Sequence, residues 1–314
     1  MFNKLENKIN IVKKFNIFGT IGLVFALLGI VSLILLPFNV NLFNFDIDFV
    51  GGTTMTYSMH KQLDKAELDN IAAVVEKATG VPASSVQKAG DGTEVLIKTN
   101  TLDTEQRDAV FTALKEAYGL HDGTEQVAEG ETAHTDILAV DNVDPVMGKD
   151  LRNAAIVSAF LAILFMLIYI AIRFNFRSGI AAICSLAHDV FVIIGSYVVF
   201  RIPVNMTFIA VVLTILGYSI NATIVIFDRI RENNKLLKKT SFDDIVNKSI
   251  WQTATRSVNT TVTTLLSVGV IAILGVTSIK NFAIPLIVGI VAGLYSSMFI
   301  SGPVWAKLAK SSKK

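Results

Sequence analysis

Residues 213–233, LTILGYSINATIVIFDRIREN, place hydrogen-bonding side chains inside a run that is otherwise apolar enough for lipid. Thr214, Tyr218 and Asn221 follow each other at spacings of four and three, so on a helix they share one polar stripe. An unpaired amide or hydroxyl is costly in hydrocarbon, whereas side chains with hydrogen-bond partners hold helices together. The stripe is therefore expected to face a polar helix, forming a proton or hydration path.

A second polar ridge recurs every three to four residues in the next apolar stretch, and we predict that the two ridges face each other. It consists of Thr253, Arg256, Thr260, Thr263 or Thr264, and Ser267. Threonine is a common helix-packing residue in membranes, so the alternative role for each of these threonines is helix packing instead of a polar path. Arg256 could also be an interfacial anchor that extends its charge to the membrane surface.

His188 and Asp189 place an imidazole and a carboxylate within a third apolar stretch. Ionisable side chains inside a membrane are costly, and by default they mark an ion or proton path or the pairing that supports one. We therefore include both residues with Arg256, Tyr218 and Asn221 among the candidate site residues.

The elements that carry these residues are predicted to be membrane-spanning helices. The chain has 314 residues, of which 52% are hydrophobic and 17% charged, and a mean hydropathy of +0.55, which indicates a polytopic membrane protein. Six runs are long enough to cross a bilayer. They cover residues 17–36, 154–172, 180–200, 206–227, 258–276 and 282–304. The first is too long for a signal peptide and is expected to be retained.

Basic residues orient these spans. Seventeen lysines and arginines fall on the side that holds both termini, against Arg201 and Lys280 in the short loops opposite. The positive-inside rule therefore predicts a multi-pass protein of the bacterial plasma membrane with both termini cytoplasmic. The predicted segments are a cytoplasmic N-terminus (1–16), the first span (17–38), an exterior domain (39–153), the remaining five spans (154–304) with a cytoplasmic loop (228–257), and a basic cytoplasmic tail (305–314).

The exterior insertion alternates between strand and helix periodicity. Its predicted elements are strands at 54–59, 84–89, 93–99 and 135–143, helices at 64–79 and 103–118, and a mobile loop at 121–132. The order βαββαβ predicts a ferredoxin-like α+β domain between the first and second spans. His60, His121 and His134 are scattered, and no nucleophile or phosphate loop is present. We therefore expect no metal, no cofactor, no nucleic-acid binding and no enzymatic activity.

Several motifs resemble the SecD/SecF family of Sec translocon accessory subunits, within the resistance-nodulation-division superfamily. The resemblance covers nearly the whole chain. The motifs are the turn at 47–53 with Asp48, Gly51 and Gly52, the segments 145–151 and 186–189, GYSIN at 217–221, FDRIREN at 227–233, and Arg256-Ser257 leading into 260–264. Within FDRIREN, Asp228, Arg229, Arg231 and Glu232 are expected to pair across helical turns as a cytoplasmic cap.

The resemblance implies that the chain pairs with a SecD-type subunit to complete a twelve-helix unit. That unit is thought to use the proton motive force to pull polypeptides outward during late translocation. The implied partners are SecD, the Sec translocon channel and its associated subunits, unfolded secreted polypeptide, and membrane lipid. Two alternatives stay open: a small-molecule or lipid exporter of the same superfamily, and a structural assembly subunit that conducts no protons.

The chain departs from the family pattern at two positions. Ala222 stands where the pattern has an aspartate, so Arg256 lacks the acid that the resemblance implies for its proton relay. Either Asp189 takes over, or this chain conducts poorly, or the residue was changed to hold one state. Asp144 stands where the family usually has glycine, which affects the geometry of that turn alone.

Overall fold

The computed structural model describes residues 9–38, 42–90, 92–121, 135–275 and 277–311. Most of the predicted loop at 121–132, together with His134 and both chain ends, lies outside these residues. The chain divides into two compact units, which are described separately: Met1–Asn44 with Ile156–Lys314, and Phe45–Ala155.

The secondary structure is mostly helical, and within the described residues six helices are long and apolar enough to cross a membrane. The elements in chain order are α1 (Phe15–Leu35), a 3-10 turn (Leu36–Phe38), β1 (Asn44–Phe45), α2 (Ile47–Val50), β2 (Gly52–Ser58), α3 (Lys65–Thr79), β3 (Ser85–Ala89), β4 (Glu94–Thr99), α4 (Thr104–Tyr118), β5 (Ile137–Val143), α5 (Pro145–Arg173), α6 (Phe176–Val199), β6 (Pro203–Val204), α7 (Met206–Leu236), α8 (Phe242–Leu274), α9 (Thr277–Ser296), a π-helical turn (Ser297–Ser301) and α10 (Gly302–Ser311). The candidate spans include α1 and α5 to α8, and a sixth runs from Ile279 to Lys310.

The fourth and fifth candidate spans extend beyond the predicted apolar runs, so most of the segment 228–257, which was predicted as the loop between them, is helical. α7 continues to Leu236, and α8 already begins at Phe242 after its N-cap, Ser241. Hydropathy marks where a helix leaves the apolar layer, not where it ends. Here buried side chains such as Ile230 and Ile250 keep both extensions packed. The predicted tail at 305–314 likewise begins inside α10.

α6 lies at the centre of the membrane unit, in contact with α1, α7, α9 and α10. Its approach to α1 is close enough to require glycine. A Cβ on Gly29 would lie 1.9 Å from the Phe191 carbonyl oxygen. α9 approaches α7 in the same way, since a Cβ on Gly289 would lie 2.5 Å from the Ile215 side chain. Small residues thus set the helix spacing, as in other membrane bundles.

The second unit contains the predicted βαββαβ sequence of elements. Its four strands form one antiparallel sheet in the order β3-β4-β2-β5, so the first strand of the motif lies between the third and the fourth. This is the strand order of a split βαβ unit. Met55 and Tyr57 of β2 are buried against Ile71 of α3 and Leu114 of α4.

The family-motif turn packs against the start of α5 within this same unit. Gly51 and Gly52 both have positive φ, at 76° and 138°, which glycine alone adopts readily. A Cβ on Gly52 would lie 2.5 Å from the Thr99 carbonyl oxygen. A Cβ on Gly148 would lie 3.0 Å from the Gly51 nitrogen. The two separate motifs therefore form one close backbone contact.

Candidate functional site

The first polar cluster surrounds a carboxylate at the centre of the helical bundle. Asp189 of α6 is 0% exposed and accepts hydrogen bonds from Ser219 of α7 at 2.5 Å and from Ser296 of α9 at 2.8 Å. The His188 Nδ1 atom lies 3.0 Å from the other carboxylate oxygen. A buried carboxylate is stable only when paired and hydrogen-bonded. Asp189 therefore joins three spanning helices at one point.

His188 extends this cluster toward α1. Its ring stacks on Tyr295 with the ring centres 6.0 Å apart, and the Tyr295 hydroxyl donates a 2.5 Å hydrogen bond to the Phe18 carbonyl of α1. The His188 Nε2 atom is buried without a hydrogen-bond partner among the described residues. Directly after Ser296, the helix adopts the π-helical turn, a feature that often occurs at functional sites. Neither the serine partners nor this turn was predicted from the sequence.

The second polar cluster lies between α7 and α8, around a cavity of about 140 Å³. The Tyr218 hydroxyl and the Thr261 Oγ1 atom are 2.8 Å apart, which joins the two helices. The lining residues are Tyr218, Asn221, Ala222, Val225, Arg256, Ser257, Thr260 and Thr261. The structure thus brings Arg256 and Ala222 to one cavity.

The predicted ridges face each other where Arg256 and Thr260 line one cavity with Tyr218 and Asn221, although the hydrogen bond between the helices goes to Thr261, which lies outside the predicted ridge. Most of the ridge hydroxyls instead bond within their own helix. Those of Thr260, Thr263 and Thr264 donate to carbonyls three or four residues earlier in their own helix, as do those of Thr214 and Ser267. A threonine hydroxyl in a helix can reach the preceding turn, which satisfies it without a neighbouring helix.

Arg256 and Asn221 are among the polar groups that this cavity leaves unsatisfied. Both are exposed, and the described part of the chain provides no hydrogen bond or ion pair for either side chain. Asp189 does not supply the missing acid for Arg256. Its two oxygens are occupied by His188, Ser219 and Ser296 in the other cluster.

The predicted cytoplasmic cap is a network of charge pairs at the end of α7. Arg229 pairs with Glu232 at 2.6 Å and Arg231 with Asp228 at 3.4 Å, both across one turn. Arg173 at the end of α5 also contacts both Asp228 oxygens at 3.1 Å. Helix periodicity predicts the first two pairs, but the third depends on how α5 and α7 pack.

A wider cavity of about 550 Å³ lies between this network and the intramembrane cavity. Its lining includes Asp228, Arg229, Glu232 and Gln252, and it shares Val225 and Arg256 with the smaller cavity. The Arg229 Nε atom donates a 2.7 Å hydrogen bond to Gln252. Arg256 therefore lies where a charged, open pocket meets the polar interior of the helix pair.

The structure partly corrects the view that the histidines of the sheet unit are scattered, because it brings two of them to one carboxylate. His60 Nε2 lies 2.5 Å and His121 Nδ1 3.2 Å from the oxygens of Asp136, which also accepts the His121 backbone N–H. Burial acts to raise the pKa of the Asp136 carboxyl, but these hydrogen bonds outweigh it and hold the pKa below its usual value. No cluster of three or more potential metal ligands occurs within the described residues.

These features define a six-span membrane protein with an α+β unit inserted after its first span and polar residues at the centre of its helices. Residues 124–311 match the sequence model of the family described as protein export membrane protein SecD/SecF, C-terminal. The chain belongs to this SecD/SecF family.

Similar proteins agree with this assignment. The chain is 36% identical over 310 residues to protein translocase subunit SecF of Acidaminococcus fermentans, covering 98% of this chain and 99% of the relative. It is 35% identical to protein translocase subunit SecF of Alicyclobacillus acidocaldarius, and the match covers 87% of this chain and 85% of that relative. The crystal structure of SecDF from Thermus thermophilus matches with a TM-score of 0.79 and 30% identity, over 98% of this chain. This chain spans 39% of that longer SecDF chain.

Proposed function

We propose that this chain is a non-enzymatic accessory subunit of the Sec protein translocase, which pairs with a SecD-type subunit and assists late export with the proton motive force. One observation carries the proposal. A guanidinium with no partner in the described chain lies on an exposed polar face formed by two spanning helices.

The polar face is suited to a protein partner rather than to lipid. It consists of Asn221 on α7 with Arg256, Thr260 and Thr263 on α8, all of them exposed. An arginine or an asparagine in contact with acyl chains is costly, so such residues face protein or water. About 60% or more of the length of the relatives named SecDF lies outside the part that this chain covers, and a second half of that kind could cover the face.

Proton coupling is assigned to the two cavities that share Arg256. The wider cavity gives access from the charged end of α7, and the smaller one leads inward to Tyr218 and Asn221. A guanidinium favours the ionised form of a nearby acid and so sets when that acid takes up a proton. Ala222 cannot exchange a proton, so in this chain the acid that works with Arg256 comes from the partner subunit.

The experiment compares export into vesicles that contain this chain, its SecD-type partner and the translocon. An imposed proton gradient is expected to accelerate late export, and Arg256→Ala to abolish the acceleration. Arg201→Ala is the control, because Arg201 is another exposed arginine outside both cavities. Equal export with and without the gradient would reject the proton-coupled role.

A structural subunit that conducts no protons is the second candidate. It is favoured by Ala222 and by the threonines of α8, whose hydroxyls are already satisfied within their own helix. This candidate predicts that export requires the chain but does not respond when the proton gradient is collapsed.

A further inference from the structure

A basic cavity of about 330 Å³ lies where the chain enters α1 and where α10 ends. Six of its lining residues are charged, polar or aromatic. They are Lys13, Phe15, Asn16, Asp243, Lys307 and Lys310. This cavity is separate from Asp189 and from Arg256, and none of the motifs described above includes it.

The cavity is placed at the depth of lipid headgroups. α1 begins at Phe15, and the sixth candidate span ends at Lys310, so both apolar segments end beside the cavity. Ile17 and Ile21, which follow on α1, are 58% and 40% exposed. A molecule held in the cavity by its polar end could therefore lay an acyl chain along α1.

The lysines give the cavity the charge of a phosphate site. Three ammonium groups oppose one carboxylate. Lys307 is held in place by a 3.2 Å hydrogen bond to the Asn16 side chain and by the Phe15 ring, whose centre lies 4.3 Å away. Lys13 is exposed, and no side-chain partner for it occurs among the described residues. Lysine binds phosphate as a point charge, and basic pockets between spanning helices bind anionic headgroups.

Asp243 adds a requirement for a hydrogen-bond donor, which the ionised phosphodiester of a lipid does not meet by itself. One of its oxygens pairs with Lys310, whereas Oδ1 is buried without a hydrogen-bond partner among the described residues. A buried acceptor without a donor carries a desolvation cost. A ligand that combines a phosphate with a hydroxyl would neutralise the lysines and donate a hydrogen bond to this oxygen.

We propose that this cavity binds the headgroup of an anionic phospholipid with a glycerol head. The phosphate lies between Lys13 and Lys307, and a glycerol hydroxyl donates to Asp243 Oδ1. The bound lipid links the segment before α1 to the start of α8 and to α10. Its binding depends on neither the proton path nor the SecD-type partner.

Native mass spectrometry of the full chain, released from nanodiscs of equal phosphatidylglycerol and phosphatidylcholine, tests the proposal. Each lysine near an anionic headgroup contributes about 1 kcal/mol, which corresponds to about five-fold in affinity. Lys13→Gln is therefore expected to lower phosphatidylglycerol retention about five-fold, and Lys13→Gln with Lys307→Gln about twenty-five-fold. Lys238→Gln with Lys239→Gln removes the same charge from exposed positions elsewhere and is expected to have less than a two-fold effect.

Three results would overturn the proposal. The first is equal loss of lipid from the site variants and from the control pair. The second is displacement of the lipid by excess inorganic phosphate, which would make free phosphate the ligand. The third is measured in nanodiscs of equal phosphatidylglycerol and phosphatidic acid, which lacks the glycerol hydroxyls: it is a preference for phosphatidylglycerol that Asp243→Ala leaves unchanged. If the double variant does not fold, the phosphatidylglycerol retention of Lys13→Gln tests the proposal by itself, since this exposed side chain has no partner among the described residues to lose.

Discussion

Ala222 of α7 and Arg256 of α8 line the same cavity, and no acidic side chain is among the residues that line it. A methyl group thus stands beside an arginine for which the described chain provides no counter-ion. The two positions are close enough to share a cavity that could hold a charge pair. Among the described residues, Arg256 is exposed and Ala222 is half-buried.

Ala222→Asp is predicted to increase proton-dependent export, because it places an acid of this chain beside Arg256, in addition to the acid that we assign to the partner subunit. Export would be measured in vesicles with an imposed proton gradient, with Ala222→Asn as an uncharged control of similar size. Arg256→Ala should then reduce export at least about ten-fold more in Ala222→Asp than in the original chain, since a coupling energy of about 1.4 kcal/mol is within the usual range for groups in contact. Equal losses in both backgrounds would show that the two positions do not interact.

The serines around Asp189 are predicted to be structural. Ser219→Ala and Ser296→Ala each remove one hydrogen bond from a buried carboxylate and should lower the free energy of unfolding in detergent by about 1–3 kcal/mol. Ser267→Ala is the matched control, because that hydroxyl bonds only within its own helix, and it should change stability by less than about 0.5 kcal/mol. If all three serine variants lowered the free energy of unfolding by similar amounts, the hydrogen bonds to Asp189 would not be what holds these helices together.

Gly29→Ala is predicted to push α1 away from α6. The added Cβ would lie 1.9 Å from the Phe191 carbonyl oxygen, and backbone cannot yield as a flexible side chain can. We expect a loss of about 3 kcal/mol or more in unfolding free energy. Gly217→Ala should be neutral or stabilising, since nothing lies within 4 Å of that position and alanine favours helix.

Asp136 is predicted to make the sheet unit sensitive to acid. Because its folded pKa lies below the usual value, the carboxylate contributes stability that is fully present above the unfolded pKa of about 3.9. That contribution is lost as the pH falls through the folded pKa. Asp136→Ala should lower protection of the β2 and β5 amides in hydrogen exchange at pH 7, by about 2 kcal/mol.

The control for Asp136 is Asp141→Ala, an exposed aspartate on β5, the strand that directly follows Asp136. It should leave protection at pH 7 unchanged. In the original chain, protection should fall between pH 5 and pH values below 4, whereas in Asp136→Ala the same change of pH should have less effect. An equal pH response in both proteins would show that the ionised Asp136 carboxylate does not stabilise the sheet unit.

Much of the architecture follows from sequence patterns, because hydropathy and periodicity report local properties. The six spans and the βαββαβ order of elements are present in the structure, and Gly80 and Gly119 end α3 and α4 with positive φ. The extension of α7 and α8 into residues 228–257 could not be predicted in this way, because the length of an apolar run does not show whether the helix continues beyond it.

The partners of the polar residues could not be predicted in the same way. Asp189 meets Ser219 and Ser296 across 30 and 107 residues of sequence, so their contact depends on how three helices pack. Asp136 and His60 are likewise 76 residues apart. In contrast, Arg229 and Glu232 lie one helical turn apart, and helix geometry alone predicts that pair.

Photo-crosslinking in the native membrane tests most directly whether the exposed polar face of α7 and α8 docks a partner. A crosslinker would be placed at Thr260 on that face and, as a control, at Phe165, which is 66% exposed on α5. We predict an adduct with a SecD-type subunit from Thr260 and lipid adducts from Phe165. Lipid adducts from Thr260, with no protein partner captured, would contradict the account.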